Sequence, residues 1–294
     1  MKSEYLDRAS RIATDNVSSA QQILMDTLDL MSDYCRATAS EENFFQDLRS
    51  LSTALPSAQA QMAALSNVCK LIIYSLNGAG PSEVGTYIDG LKSKVSSAPA
   101  RAAVEASKLV VDGGSYVTLS QSEYVLKAFE FAAGDGKLAT VYVMESRPLF
   151  EGRQTARMLR KMGHRAILIS DASPGLFVKE ADAAFAGADA ILGDGTLVNK
   201  IGTYPLAALC SMENKPFYAV TSVLKFDSEK TSEDFVNKQE SAHEIFANPE
   251  FEVANFYFDR ISPRLVTAFL TEAGVFSPAT DLEKIDAAMR TTYG

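Results

Sequence analysis

The sequence predicts an α/β fold in two parts, a helical N-terminal domain over 1–111 followed by a domain over 112–294 wound around a parallel sheet. Three features predict it. The first part holds few turn signals and repeats its apolar residues at helical spacing. After Gly113-Gly114, short β-branched and aromatic runs begin to alternate with helical segments, in the register of βαβ units. At 294 residues, the chain also reaches the length at which single hydrophobic cores usually stop growing.

In the helical part, Ile12, Ala13, Val17, Ala20, Ile23, Leu24, Leu28 and Met31 follow the three-and-four rhythm of one long amphipathic helix. A second helix is expected over 57–76, after Pro56. A third is expected over 82–97, because Gly78-Ala79-Gly80-Pro81 breaks the chain and Pro81-Ser82 suits a helix start. These apolar stripes read as the core faces of a bundle. Beyond Gly114, strands are expected over 115–119, 140–144, 165–170, 183–188 and 216–221. Helical patterns over 122–133, 152–162, 176–181 and 204–213 lie between them, so strand and helix take turns as a doubly wound parallel sheet requires. The charged stretch 227–248 has little periodicity and reads as a long surface loop.

Composition narrows the function. A hydrophobic fraction of 47% and a charged fraction of 22% are those of ordinary folded proteins, and no run reaches the ~18 apolar residues of a membrane span. Met1 to Ser10 is polar with no apolar run after it, so no export signal is read and a cytoplasmic protein without a membrane partner is expected. The net charge of −9 argues against direct nucleic-acid binding, which needs a concentrated basic face, but leaves room for a local anion pocket. Cys35, Cys69 and Cys210 are odd in number and widely spaced, which suits reduced thiols. With His164 and His243 as the two histidines and no cysteine pair at ligand spacing, neither a metal site nor a cofactor is expected.

Ligands of an open parallel sheet collect beyond the carboxyl ends of its strands, and the sequence places polar residues there. The first strand runs into Thr118, Ser120 and Ser122, which read either as an anion site at a helix start or as helix caps. The second ends in Glu145-Ser146-Arg147-Pro148, where Arg147 is either a fork for phosphate or a surface ion-pair partner. The segment from Gly187 to Thr203 breaks at Gly193-Asp194-Gly195 and carries Asp189, Asn199 and Lys200. A glycine-rich turn of this kind turns backbone amides toward an anion. Asp189 reads equally as a turn-stabilising carboxylate, and Lys200 as a solvated charge. The glycine and lysine order of a Walker A loop or a dinucleotide fingerprint is absent.

Taken together, Glu145 to Arg153, Gly187 to Thr203, Lys215-Pro216-Phe217-Tyr218 with Lys225-Phe226, and Phe258-Asp259, Ser262-Pro263 and Thr271 to Val275 form a recognisable set. In order and spacing they resemble the family of translation initiation factor 2B alpha, beta and delta subunits, ribose-1,5-bisphosphate isomerase and 5-methylthioribose-1-phosphate isomerase. The resemblance is strong over 115–278 and implies a Rossmann-like sugar-phosphate-binding domain behind the helical one. It also implies a homodimer, a phosphorylated small molecule as ligand and initiation factor subunits as candidate partners.

In the isomerases a cysteine after the first strand and the aspartate of a GAD motif move the proton between two sugar carbons. Asp189 matches that aspartate, whereas the cysteine position falls on Ser120, a far weaker acid than a thiol. Glu151 stands where the isomerases usually carry glutamine, and its carboxylate repels a nearby phosphate unless it is protonated or paired. The isomerases' N-terminal Arg-Gly-Ala motif has only a faint echo in Arg8-Ala9-Ser10. The resemblance thus implies Asp189 and Ser120 as the catalytic positions, and Arg147, Glu151, Asn199 and Lys200 as ligand contacts. Three functions fit these residues: a regulatory binder of a phosphorylated sugar or nucleotide, an aldose-ketose isomerase of a ribose phosphate, and an assembly subunit whose pocket is a relic.

Overall fold

The structure is a computed structural model that describes residues 2–15, 18–59 and 61–294. Five helices come first: α1 (Ser3–Thr14), α2 (Ala20–Thr38), α3 (Phe44–Ala58), α4 (Ala63–Ser75) and α5 (Pro81–Lys108). The single long helix expected around 12–31 is instead split into α1 and α2, with the Ser19 side chain accepting from Gln22 N to cap the second. Val17, counted in that stripe, lies outside the described residues. The helix expected after Pro56 also needs correction, because Pro56 lies inside α3 and the next helix begins only at Ala63. Buried Leu48, Leu51 and Leu55 hold α3 on the core through that proline. α5 starts at Pro81 and runs past Ser97 and through Pro99, because Ala98, Ala102, Ala103 and Ala106 bury against the sheet layer. Packing there outweighs the local propensity.

The sheet layer follows the predicted alternation: β1 (Ser115–Thr118), α6 (Glu123–Gly134), β2 (Thr140–Met144), α7 (Glu151–Lys161), β3 (Arg165–Ile169), α8 (Gly175–Val178) and β4 (Ala183–Ala186). There follow β5 (Ala190–Leu192), β6 (Leu197–Lys200), α9 (Thr203–Met212), β7 (Phe217–Val220), β8 (Phe226–Asp227), β9 (Phe258–Ile261), β10 (Ala268–Thr271), β11 (Gly274–Phe276) and α10 (Leu282–Tyr293). The main sheet has the order β11-β10-β7-β4-β1-β2-β3 and is parallel except for β11. Segments expected as loop or left unassigned supply a second, four-stranded sheet, β8-β5-β6-β9. The glycine break at 193–195 is therefore the tip of a β5–β6 hairpin, and Asn199 and Lys200 sit on a strand rather than in a turn. The stretch between β8 and β9 is largely irregular, with one short helical turn at Ala242–Glu244.

One apolar cluster extends from Tyr5 and Leu28 through Val117, Ala184 and Phe269 to Tyr293, so it crosses from the helices into the sheet layer. A second fills the other face of the sheet beneath α5 and α6. Cys35, Cys69 and Cys210 are buried free thiols, and burial pushes each up to about 12.

Candidate functional site

The loops after β1, β2, β4 and β7 meet beyond the carboxyl ends of the central strands. Two of them are held in backbone conformations that side-chain-bearing residues rarely adopt: Ser120, Ser146 and Phe150 have φ of 57°, 66° and 61°. Each such residue costs on the order of 1–3 kcal/mol and persists only where its surroundings fix it. Here Ser120 N donates to Ser146 Oγ at 2.7 Å, and Ser120 O accepts from Thr155 Oγ1 at 2.6 Å. Ser146 N and Arg147 N in turn donate to the Asp171 carboxylate at 2.7 and 2.8 Å.

α7 then enters very close to β2. A Cβ on Gly152 would lie 1.9 Å from Met144 O, so only glycine permits this approach, and the approach places the Glu151 carboxylate above the strand ends. Glu151 and Thr155 are one turn apart on α7, which sets Ser120 beside the same helix face.

Around this frame four charged side chains converge. Lys200 Nζ lies 2.7 Å from Glu151 Oε1 and 4.7 Å from the centre of the Tyr257 ring. Lys225 Nζ donates to Ala188 O at 2.5 Å and lies 5.1 Å from the Tyr124 ring centre. Both lysines are buried, and Asp189 sits within reach of their charge. Asp189 is surrounded by protein yet keeps some accessible surface. Burial pushes its carboxyl above the usual range, and Lys225 and Lys200 only partly offset that. Burial likewise pushes the Lys225 amine below its ordinary value, opposed by Asp189, Glu272 and Glu123. Glu151 Oε2 is buried and has no hydrogen-bond partner among the described residues.

Of the residues chosen from sequence, Asp189, Glu151 and Lys200 form this cluster, and Ser120 lies on its wall. Arg147 is placed at the rim, with Nη2 donating to Ile245 O at 2.9 Å and its guanidinium near the Phe150 ring. Asn199 leaves β6 on the opposite side from Lys200, as neighbours on a strand do, and donates to Thr203 Oγ1 at 2.9 Å. Ser122 caps α6 by accepting from Val125 N at 3.4 Å. The start of α9 is taken by the protein's own Asp259 carboxylate, which accepts from Gly202 N at 2.8 Å and Tyr204 N at 2.9 Å.

Sequence reasoning missed Lys225 as a site residue. The Lys-Phe pair is visible in the sequence, but no spacing shows that the turn Val223–Lys225 folds the amine back onto the end of β4. The cluster pairs two ammonium groups with two carboxylates, one of which burial holds toward its protonated form. It can therefore receive an anionic, hydroxyl-rich molecule and exchange a proton with it at Asp189.

Residues 16–278 match the model of the initiation factor 2 subunit family. The chain is 33% identical over 177 residues to a translation initiation factor eIF-2B subunit 2-like protein of Pyrococcus abyssi, covering 60% of this chain and 63% of that one, less than two thirds of its length. It is 29% identical over 245 residues to the ribose 1,5-bisphosphate isomerase of Methanocaldococcus jannaschii, covering 81% and 80%. A crystal structure of the Pyrococcus horikoshii translation initiation factor eIF-2B superposes with a TM-score of 0.86 at 25% identity, over 96% of this chain and 100% of that one.

Proposed function

The chain belongs to the initiation factor 2 subunit family, and we propose that it binds a phosphorylated pentose or nucleotide in the crevice over Asp189, with a regulatory rather than a metabolic outcome. The observation that carries this reading is that two buried lysines, Lys200 and Lys225, both pull on the Asp189 carboxyl, while the residue on the adjoining wall is Ser120. Buried ammonium groups favour an anionic guest, and a serine hydroxyl cannot supply the proton that a thiol supplies at neutral pH. Lys200 would meet the phosphate, with Glu151 turning its free oxygen toward a sugar hydroxyl. Arg147 would close over the ligand from the rim, and Asn199 would shape the floor.

A second reading, a ribose-phosphate aldose-ketose isomerase, is favoured by one observation. The Asp189 carboxyl is pushed up by burial, as an acid/base group working near neutrality needs. The resemblance to the ribose 1,5-bisphosphate isomerase of M. jannaschii points the same way.

A thermal-shift screen against ribose 1-phosphate, ribose 1,5-bisphosphate and nucleoside monophosphates separates the two. A binder melts higher with ligand by mass action and shows no turnover. An isomerase forms the ketose and loses that activity in Asp189→Asn. A chain that neither shifts nor turns over any of them sinks both readings. The reading extends to a cytoplasmic homodimer formed through residues 112–294, with initiation factor subunits as further partners. Light scattering that reports a stable monomer at micromolar concentration would count against it. No helix among the described residues is long and apolar enough to cross a membrane.

A further inference from the structure

Behind the Asp189 cluster lies a second buried polar group that the proposed function leaves unused. Glu272 follows β10, and its Oε1 accepts from the Tyr293 hydroxyl at 2.6 Å and from the Ser222 hydroxyl at 2.5 Å. Its Oε2 accepts from Val223 N at 3.3 Å. The Ser222 Oγ also accepts from Leu224 N at 3.0 Å, which closes the short turn Val223–Lys225. That turn ends in the lysine whose Nζ reaches Ala188 O, one residue before Asp189. Tyr293 is wholly buried in the last turn of α10, and its carbonyl accepts from the Tyr87 hydroxyl of α5 at 3.1 Å.

Burying a carboxylate is costly, and an apolar side chain would anchor α10 as well or better. Glu272 is nevertheless supplied with two hydroxyl donors and a backbone donor, two of the three from the turn that carries Lys225. Lys225 is faced by Asp189 after β4, by Glu272 after β10, and by Glu123 and Tyr124 of α6; Arg101 of α5 lies on the Tyr293 side. Of these groups, Glu272 both bonds the turn that carries Lys225 and raises its amine, while burial pushes the Glu272 carboxyl above its ordinary value against the pull of its Ser222, Tyr293 and Val223 donors.

We propose that Tyr293 is a positioning residue for Lys225: its hydroxyl and that of Ser222 hold the Glu272 carboxylate in place, and Glu272 holds the turn Val223–Lys225 so that the lysine side chain is aimed at the Asp189 crevice. The consequence for binding rests on the reading of that crevice as a phosphorylated-sugar site. The lysine geometry does not, so the two can be tested apart.

The experiment titrates the Lys225 side-chain resonance in the full chain labelled with ¹³C-lysine, assigned by its loss in Lys225→Arg, and measures ribose 1,5-bisphosphate binding by calorimetry. Glu272→Gln keeps the shape and removes the charge. Tyr293→Phe removes only the hydroxyl. Both should move the Lys225 midpoint to lower pH and weaken ribose 1,5-bisphosphate about tenfold or more, the scale of a lost charged hydrogen bond. Tyr87→Phe, which loosens α10 without touching Glu272, should leave the midpoint in place. Should Tyr293→Phe fail to fold, the isosteric Glu272→Gln decides alone. An unchanged midpoint in Glu272→Gln, or an equal shift in Tyr87→Phe, overturns the proposal. A shifted midpoint in a protein whose wild type binds no phosphorylated pentose would instead leave the positioning role standing and remove the proposed function.

Discussion

At residue 151 the chain sets a carboxylate against Lys200, one of the two buried lysines of the cluster. With Glu151 Oε1 at 2.7 Å, Lys200 is already neutralised, and a phosphate arriving there must displace or share that partner. Glu151→Gln frees the ammonium while keeping a group that bonds a sugar hydroxyl. It should tighten ribose 1,5-bisphosphate at pH 7 by about tenfold, equivalent to about 1.4 kcal/mol, in a calorimetric titration. Weaker binding would mean that the sugar hydroxyl needs the charged carboxylate and that an amide cannot replace it.

Asp189 poses the opposite problem, since burial raises its carboxyl above the unfolded value. A group raised in this way binds its proton more readily in the folded state, so the native protein is favoured below the unfolded pKa and loses that advantage as pH rises through the folded one. Asp189→Asn should therefore melt higher than wild type at pH 7, with the gap narrowing as pH falls toward 4, the ordinary carboxyl region. Thermal denaturation across that window checks it, and a variant that melts lower at pH 7 would show that Asp189 is needed to balance Lys225 and Lys200.

At the scale of elements, the close contact of α7 with β2 sets the height of Glu151 over the strands. A methyl group on Gly152 would meet Met144 O at 1.9 Å, and what it strikes is the backbone of Met144 and Glu145, which cannot swing aside as a side chain can. Gly152→Ala should cost stability at the upper end of the ~1–3 kcal/mol typical of overpacking, read by chemical denaturation, and should loosen the Glu151–Lys200 pair. The glycine that follows Glu151 thus acts through a backbone contact that no local pattern in the sequence reports. The strands β1, β2, β3, β4 and β7 were legible because parallel strands write themselves as short apolar runs between helices, even at the sheet edge where β3 is partly exposed.

The second sheet was not, because β5, β6, β8 and β9 are two to four residues long, and β8 and β9 join the β5–β6 hairpin from distant segments. No local period reports such pairing. The same limit governs the site. Asp189, Glu151 and Lys200 could be picked as residue types at strand ends, whereas Lys225 and Glu272 depend on where a turn and a distant strand return.

For the molecule as a whole, sequence separates a helical part over 1–111 from a sheet part over 112–294, and we propose that this is a boundary of architecture and not of folding. Asn67 of α4 is buried and donates to Leu224 O at 2.8 Å and to Phe226 O at 2.7 Å, the two carbonyls that flank Lys225. α5 lies across the sheet layer, with Ala98, Ala102 and Ala106 in the same cluster as Tyr124 and Phe129 of α6. The larger cluster joins Tyr5 to Tyr293. Removing the helices would expose both clusters and leave those two carbonyls unpaired, each at a cost of about 1–3 kcal/mol where water cannot replace the donor.

The full chain should therefore unfold in one transition, with the aromatic near-ultraviolet signal and the backbone far-ultraviolet signal superimposed. A fragment of 112–294 should lack cooperative melting and fail to bind ribose 1,5-bisphosphate even if it stays in solution. Two separated transitions, or a fragment that melts sharply, would show instead that the sheet part stands alone and that the helices only cover it. Asn67→Ala distinguishes a shared core from a shared site. Loss of binding that exceeds its loss of stability would assign the helical part a direct hand in holding Lys225.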